Sequence, residues 1–94
     1  MTPITPRNIL RHELIGLEVE VVDDSNPYNI GISGRVVDET RNTLLIDDGV
    51  KERRIAKEYA TFRFRLPDGT LVEVEGAKLV GRPEDRVKRR IRRW

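Results

Sequence analysis

Apolar and polar side chains alternate with a period of two in several short runs of this chain, and polar turns separate those runs. Leu17, Val19 and Val21 alternate with Glu18 and Glu20, which predicts a half-buried strand with its carboxylates outward. Residues 23–27, Asp-Asp-Ser-Asn-Pro, are dense in turn formers and predict the first loop. Tyr28 and Ile30 lead into the next strand. Residues 31–46 read as a central hairpin, with Ile32 and Val36 on one strand face and Leu44 and Ile46 on the returning one. A three-residue loop of Thr40, Arg41 and Asn42 pairs Val36 with Ile46 and places Asn42 at a left-handed bulge position. Gly34 inside the first of these strands predicts a sharp bend or a close backbone approach. A sheet that bends hard this early is starting to close into a small barrel.

Asp47, Asp48 and Gly49 mark the next turn. Residues 50–57 then carry Lys51, Arg53, Arg54 and Lys57 among Val50, Ile55 and Ala56. This is either an edge strand whose cations discourage further pairing or a basic strip beside a nucleic-acid backbone. Residues 61–75 give the clearest hairpin. A three-residue loop ending at Gly69 sets Phe64 against Val72, Phe62 against Val74 and Arg63 against Glu73. A two-residue loop would set Arg65 against Val72 and mix the two faces. Phe62 and Phe64 therefore read as core rather than as stacking platforms. Gly76 ends the strand, and residues 77–80 are expected to add one more short strand. At the start, Thr5 and Pro6 suit N-cap and first-turn positions of a helix. Ile9, Leu10 and Leu14 give it a narrow apolar stripe, and Gly16 suits its C-terminal cap. Near the end, Pro83 with Glu84 and Asp85 predicts a second helix start. Val87 and Ile91 give that helix one apolar contact before the chain finishes at Trp94.

Ninety-four residues make one domain with a modest core. The absence of cysteine excludes disulfides and thiolate metal sites and fits a reducing compartment. One histidine, His12, leaves little for a histidine-based metal site or triad. No apolar run approaches the roughly 20 residues of a membrane span, and the first residues lack a secretory pattern. A cytoplasmic protein with no membrane association is expected. The 36% charged content, with one methionine and no glutamine, points weakly to a thermophilic source. Charge is uneven along the chain. Residues 86–94 hold six cations and no acid, whereas residues 1–85 hold 12 basic and 16 acidic side chains, a net of −4. Such asymmetry points to a polyanionic partner, nucleic acid before an anionic membrane. No Gly-rich phosphate loop, zinc pattern, nucleophile elbow or paired catalytic carboxylate motif occurs. Neither catalytic nor metal-ligating residues are expected.

Three stretches carry a resemblance: residues 8–16, Asn-Ile-Leu-Arg-His-Glu-Leu-Ile-Gly; residues 31–44, from Gly31-Ile-Ser-Gly-Arg to Asn42-Thr-Leu; and residues 82–86, Arg-Pro-Glu-Asp-Arg. In this order and spacing they resemble archaeal ribonuclease P protein component 1, over about residues 5–90. The resemblance implies a mainly β fold, a small, strongly bent antiparallel Sm-like barrel of five to six strands with short N-terminal and C-terminal helices. In that scheme 1–94 is one RNA-binding domain, with 1–16 an extension and helix, 17–80 the barrel and 82–94 a basic helix.

It also implies a non-catalytic subunit of ribonuclease P, the enzyme whose RNA subunit uses Mg2+ to remove the 5′ leader from precursor tRNA. The protein itself would bind no cofactor. The implied partners are the ribonuclease P RNA, a zinc-ribbon protein subunit in a heterodimer, the other ribonuclease P proteins and, indirectly, precursor tRNA. Taken with the charge pattern, the expected RNA contacts are Arg35, Lys51, Arg53, Arg54, Lys57, Lys78, Arg82, Arg86, Lys88, Arg89, Arg90, Arg92 and Arg93. The expected partner surface is Arg7, Ile9, Leu10, Arg11, Leu14, Val19 and Val37. Two alternatives share the physical features: an RNA-binding barrel of another ribonucleoprotein, and a protein-only module that grips acidic peptides.

Overall fold

The computed structural model describes residues 4–6 and 8–81, with Arg11 described through its backbone. Six strands form in chain order: β1 (Glu18–Asp24), β2 (Ser33–Glu39), β3 (Thr43–Asp47), β4 (Glu52–Ala56), β5 (Ala60–Arg65) and β6 (Leu71–Glu75). They pair antiparallel in one sheet of order β4-β3-β2-β1-β5-β6. Inward residues from every strand meet in a single cluster, among them Val19, Val21, Val36, Leu44, Ile46, Ile55, Phe62, Phe64 and Val74. One sheet can bring all its strands to one cluster only by curling around it, so the layer that covers the core is the sheet itself.

The curl has a visible origin at Gly34. A Cβ built there would stand 1.9 Å from the Asp47 carbonyl oxygen, so β2 and the end of β3 approach more closely than any side chain allows. The β5–β6 hairpin forms as the alternation predicts. Phe64 pairs with Val72, Phe62 with Val74 and Arg63 with Glu73. Leu66 N–H donates to Thr70 O at 2.8 Å, and Gly69 takes φ +91.

The central hairpin differs from expectation in one residue. Val36 pairs with Ile46, but Asp38 pairs with Leu45 and Glu39 with Leu44. The extra residue is Val37, a β-bulge inside the strand, rather than a left-handed Asn42 in the loop. The loop is thereby shortened to Arg41 and Asn42, and Thr40 N–H donates to Thr43 O at 3.0 Å. The bulge also reverses the parity of the strand. Val36 and Glu39 face inward, while Val37 and Asp38 face out. β1 carries a second bulge between Val21 and Asp23.

The ends of the barrel also depart from the sequence reading. The N-terminal helix is one 3-10 turn, Ile9–Arg11, and the chain is extended again at His12. Thr5 and Asn8 cap each other before it, through Thr5 N–H to Asn8 Oδ1 at 2.7 Å and Asn8 N–H to Thr5 Oγ1 at 3.3 Å. Burial of both Ile9 and Leu14 draws this segment across the barrel instead of leaving it as a separate helix. Tyr28 lies in a 3-10 turn, Pro27–Asn29, rather than at a strand start. Residues 77–80 do not form a strand, because Gly76–Leu79 is a 3-10 turn packed on another, Lys57–Tyr59. The expected C-terminal helix lies outside the described residues.

Gly34→Ala is expected to cost about 1–3 kcal/mol, because the atom its methyl would strike is backbone and cannot swing aside. Urea denaturation beside Ser33→Ala, an exposed neighbour expected to stay within about 0.5 kcal/mol of wild type, checks this.

Candidate nucleic-acid interface

The outer face of β2, β1, β5 and β6 is built from the outward half of each alternation. Its cations meet carboxylates across the strands. Glu18 lies 3.7 Å from Arg35 and 3.3 Å from Arg65, and Arg63 lies 3.9 Å from Glu20 and 2.6 Å from Glu73. These pairs are half-exposed, so each is worth about 0.2–1 kcal/mol and chiefly fixes register. All of them but Glu73 line an open concavity of about 600 Å3 with Asp47, Asp48 and Gly49 on one wall. Its charge is mixed and internally matched, a poor surface for a polyanion.

The expected RNA contacts fall into different environments. Arg35 is committed to Glu18 and donates to Gly16 O at 2.6 Å. Arg53 pairs with Asp48 at 3.1 Å. The Lys51 and Val50 N–H groups, with Arg53, hold the Asp48 carboxyl below the usual carboxylate range. Lys51 and Lys78 are exposed. Arg54 is exposed and donates to Thr43 Oγ1 at 3.4 Å. Arg82, Arg86, Lys88, Arg89, Arg90, Arg92 and Arg93 lie outside the described residues. Arg41 stands exposed at the tip of the β2–β3 hairpin and was absent from the expected set. Its place in a polar turn was the signal that could have found it.

Lys57 is not a surface cation. Its side chain is 0% exposed and its ammonium lies 2.7 Å from Glu39 Oε2. It also donates to Thr40 O at 2.8 Å, Leu79 O at 3.0 Å, Gly81 O at 3.2 Å and Arg41 O at 3.3 Å. Three N–H donors are thus shared among five oxygens. Burial of a lysine requires such a partner set, and the bulge at Val37 supplies it by turning Glu39 inward. Backbone bonds reinforce the junction, with Lys57 N–H to Asn42 O at 2.8 Å and Gly81 N–H to Arg41 O at 2.7 Å.

The expected partner surface also needs correction. Ile9, Leu14 and Val19 are core residues, between 0% and 4% exposed, and cannot meet a partner. Leu10 and Val37 are exposed, and so is Ile15, which the alternation did not single out. Gly16 N–H donates to Val36 O and Val36 N–H to Leu17 O, which sets residues 15–16 alongside residues 36–37. Arg7 and the Arg11 side chain lie outside the described residues. No group of three or more His, Asp or Glu side chains placed to hold a metal ion occurs among the described residues.

Fold and surface together define a small, strongly bent antiparallel β-barrel of the Sm-like kind. Known proteins agree with this. The family described as ribonuclease P/MRP, subunit p29, matches residues 7–89. The ribonuclease P protein component 1 of Thermofilum pendens is 53% identical over 92 residues, covering 97% of this chain and 98% of the relative. Its counterpart from Methanocaldococcus jannaschii is 57% identical over 91 residues, covering 95% of this chain and 94% of the relative. A solved structure, Mth11, described as a homologue of the human RNase P protein Rpp29, is 53% identical with a TM-score of 0.60. That match covers 79% of this chain and 96% of the solved one. The chain belongs to the ribonuclease P/MRP subunit p29 family.

Lys57→Met alone is expected to cost about 3–5 kcal/mol, because it leaves Glu39 buried without its countercharge. Lys57→Met combined with Glu39→Leu should recover most of that loss. Denaturant midpoints of the two variants, with Lys51→Ala as an exposed control, measure the difference.

Proposed function

We propose that this chain is a non-catalytic protein subunit of ribonuclease P that binds and stiffens the catalytic RNA for removal of the 5′ leader from precursor tRNA. The observation that carries this is likeness along nearly the whole chain to proteins named ribonuclease P protein component 1. The charge distribution supports it. A body of net −4, its outer-face cations paired, is joined to a run of six cations in residues 86–94. Folded RNA offers phosphates, 2′-hydroxyls and shape rather than a readable major groove. Neutralising its phosphates lets it stay compact at lower Mg2+. The Mg2+ of the reaction is used by the RNA, and the protein supplies no cofactor of its own.

The second contact is with another protein. Leu10, Ile15 and Val37 are large apolar side chains left exposed near the start of the barrel, and they suit the zinc-ribbon subunit of the same particle. The setting is cytoplasmic. No helix among the described residues is long and apolar enough to cross a membrane.

If about four to six cations touch phosphates, log K for the ribonuclease P RNA falls with log salt at a slope of roughly −3 to −5. A chain ending at Asp85 should show a distinctly shallower slope in the same titration, and equal slopes would remove residues 86–94 from the mechanism. Leu10→Asp should weaken co-purification with the zinc-ribbon subunit while leaving the thermal midpoint near wild type. Retention at wild-type affinity would place the partner on another face.

A further inference from the structure

Among the described residues, cations divide into two sets. Arg35, Arg53, Lys57, Arg63 and Arg65 each have a carboxylate within 4 Å. Arg41, Lys51, Arg54 and Lys78 are exposed, and none of them forms an ion pair with another described residue. Lys51 stands at the β3–β4 turn, at the far end of that hairpin. The other three gather at one corner of the barrel. Arg41 is at the tip of the β2–β3 turn. Arg54 reaches Thr43, whose hydroxyl lies 2.6 Å from that of Thr40 in the same turn. Lys78 is in the 3-10 turn Gly76–Leu79, next to the Leu79 carbonyl that shares the Lys57 ammonium with Arg41 O.

We propose that Arg41, Arg54 and Lys78 form a phosphate-binding corner for the RNA, and that buried Lys57 is the positioning residue that holds it together. This rests on the RNA-binding reading above and adds a location to it. Four backbone carbonyls of the corner, those of Thr40, Arg41, Leu79 and Gly81, turn inward onto Lys57. Their negative ends therefore face the ammonium and not the approaching phosphate. Two segments far apart in sequence are locked side by side before RNA arrives, so little ordering cost remains on binding. The exposed acids nearest the corner are Asp38, Glu58 and Glu75, with Glu52 two residues before Arg54 on the same face of β4. Glu39, the one acid of the junction that is buried, is used by Lys57. The two arginines suit phosphate because the guanidinium fork contacts two oxygens at once.

The test uses the full chain and folded ribonuclease P RNA, titrated with salt. Arg41→Ala and Lys78→Ala should each reduce the magnitude of the log K–log salt slope by about 0.7–0.9, the value of one phosphate contact. Lys57→Met with Glu39→Leu, shown folded by circular dichroism, should lower the slope although Arg41 and Lys78 remain. Adding Arg41→Ala to it should then cost less than in the wild-type background, a coupling that a general loss of stability does not produce. If the paired variant fails to fold, the two single alanine variants still decide the corner. Wild-type slopes for both, while truncation at Asp85 still lowers the slope, would overturn the corner and leave RNA binding standing. Loss of RNA binding by none of the variants because the wild type binds none would instead remove the underlying reading. Equal competition by polyglutamate at matched charge would assign the corner to acidic protein segments and also overturn it.

Discussion

A lysine ammonium with no access to water is the constraint on which the barrel's closure rests. β4 and β6 are the two ends of the strand order, so ladder hydrogen bonds do not draw the sheet shut there. What draws it shut is a pair of 3-10 turns, one after β4 and one after β6, packed together over Lys57. A charge in that position would cost several kcal/mol if unpaired. Glu39 and four carbonyls remove the penalty, and they come from both sides of the junction. The interaction therefore does little for net stability but much for geometry: it is satisfied only when the β2–β3 turn and the segment after β6 are both in place. Gly76 belongs to the same constraint, since a Cβ there would stand 1.9 Å from the Lys57 carbonyl oxygen.

One irregularity in β2 makes this possible. Without the bulge at Val37 the strand would keep its parity, Asp38 would share the inner face of Val36, and Glu39 would point to solvent. With it, the carboxylate one methylene longer is the one delivered inward, while Val37 stays outward as it would in a regular strand. A single extra residue thus supplies the buried countercharge.

Much of the fold was legible because alternation and turn chemistry agreed. In β5 and β6, the phenylalanines and the Arg63–Glu73 pair both exclude the shorter loop, so register followed from sequence. Gly34 announced a close approach, and the edge position of β4 was one of two readings its cations offered. The β2–β3 hairpin was less determinate. Both registers pair Val36 with Ile46 and diverge only beyond it, where Val37, Asp38 and Glu39 offer no clean alternation to choose between them. Lys57 was misread for a related reason. It follows Lys51, Arg53 and Arg54 in a basic stretch, and its countercharge lies 18 residues earlier on another strand. Ile9 and Leu14 were placed outside because a narrow stripe on a short segment reads alike whether it faces a partner or its own barrel, whereas the alternation of residues 17–21 already turned Val19 inward, against its place on the partner surface. Burial decides between these, and burial is a property of the closed sheet.

The division of the cations then follows from topology. Along β1 and β5 the outward positions pair across strands in a fixed register, so carboxylates placed there necessarily neutralise the arginines opposite them. A turn has no cross-strand neighbour, and neither does a 3-10 segment at the barrel's end. Arg41 and Lys78 sit in such positions, and Arg54 lies on the outermost strand with a partner on one side only. Cations that a sheet cannot neutralise are those at its corners, and at this corner four backbone carbonyls are tied to the Lys57 ammonium. An anionic surface meeting this protein would be drawn there rather than to the broad face of the sheet, although that face carries as many cations, Arg35, Arg63 and Arg65.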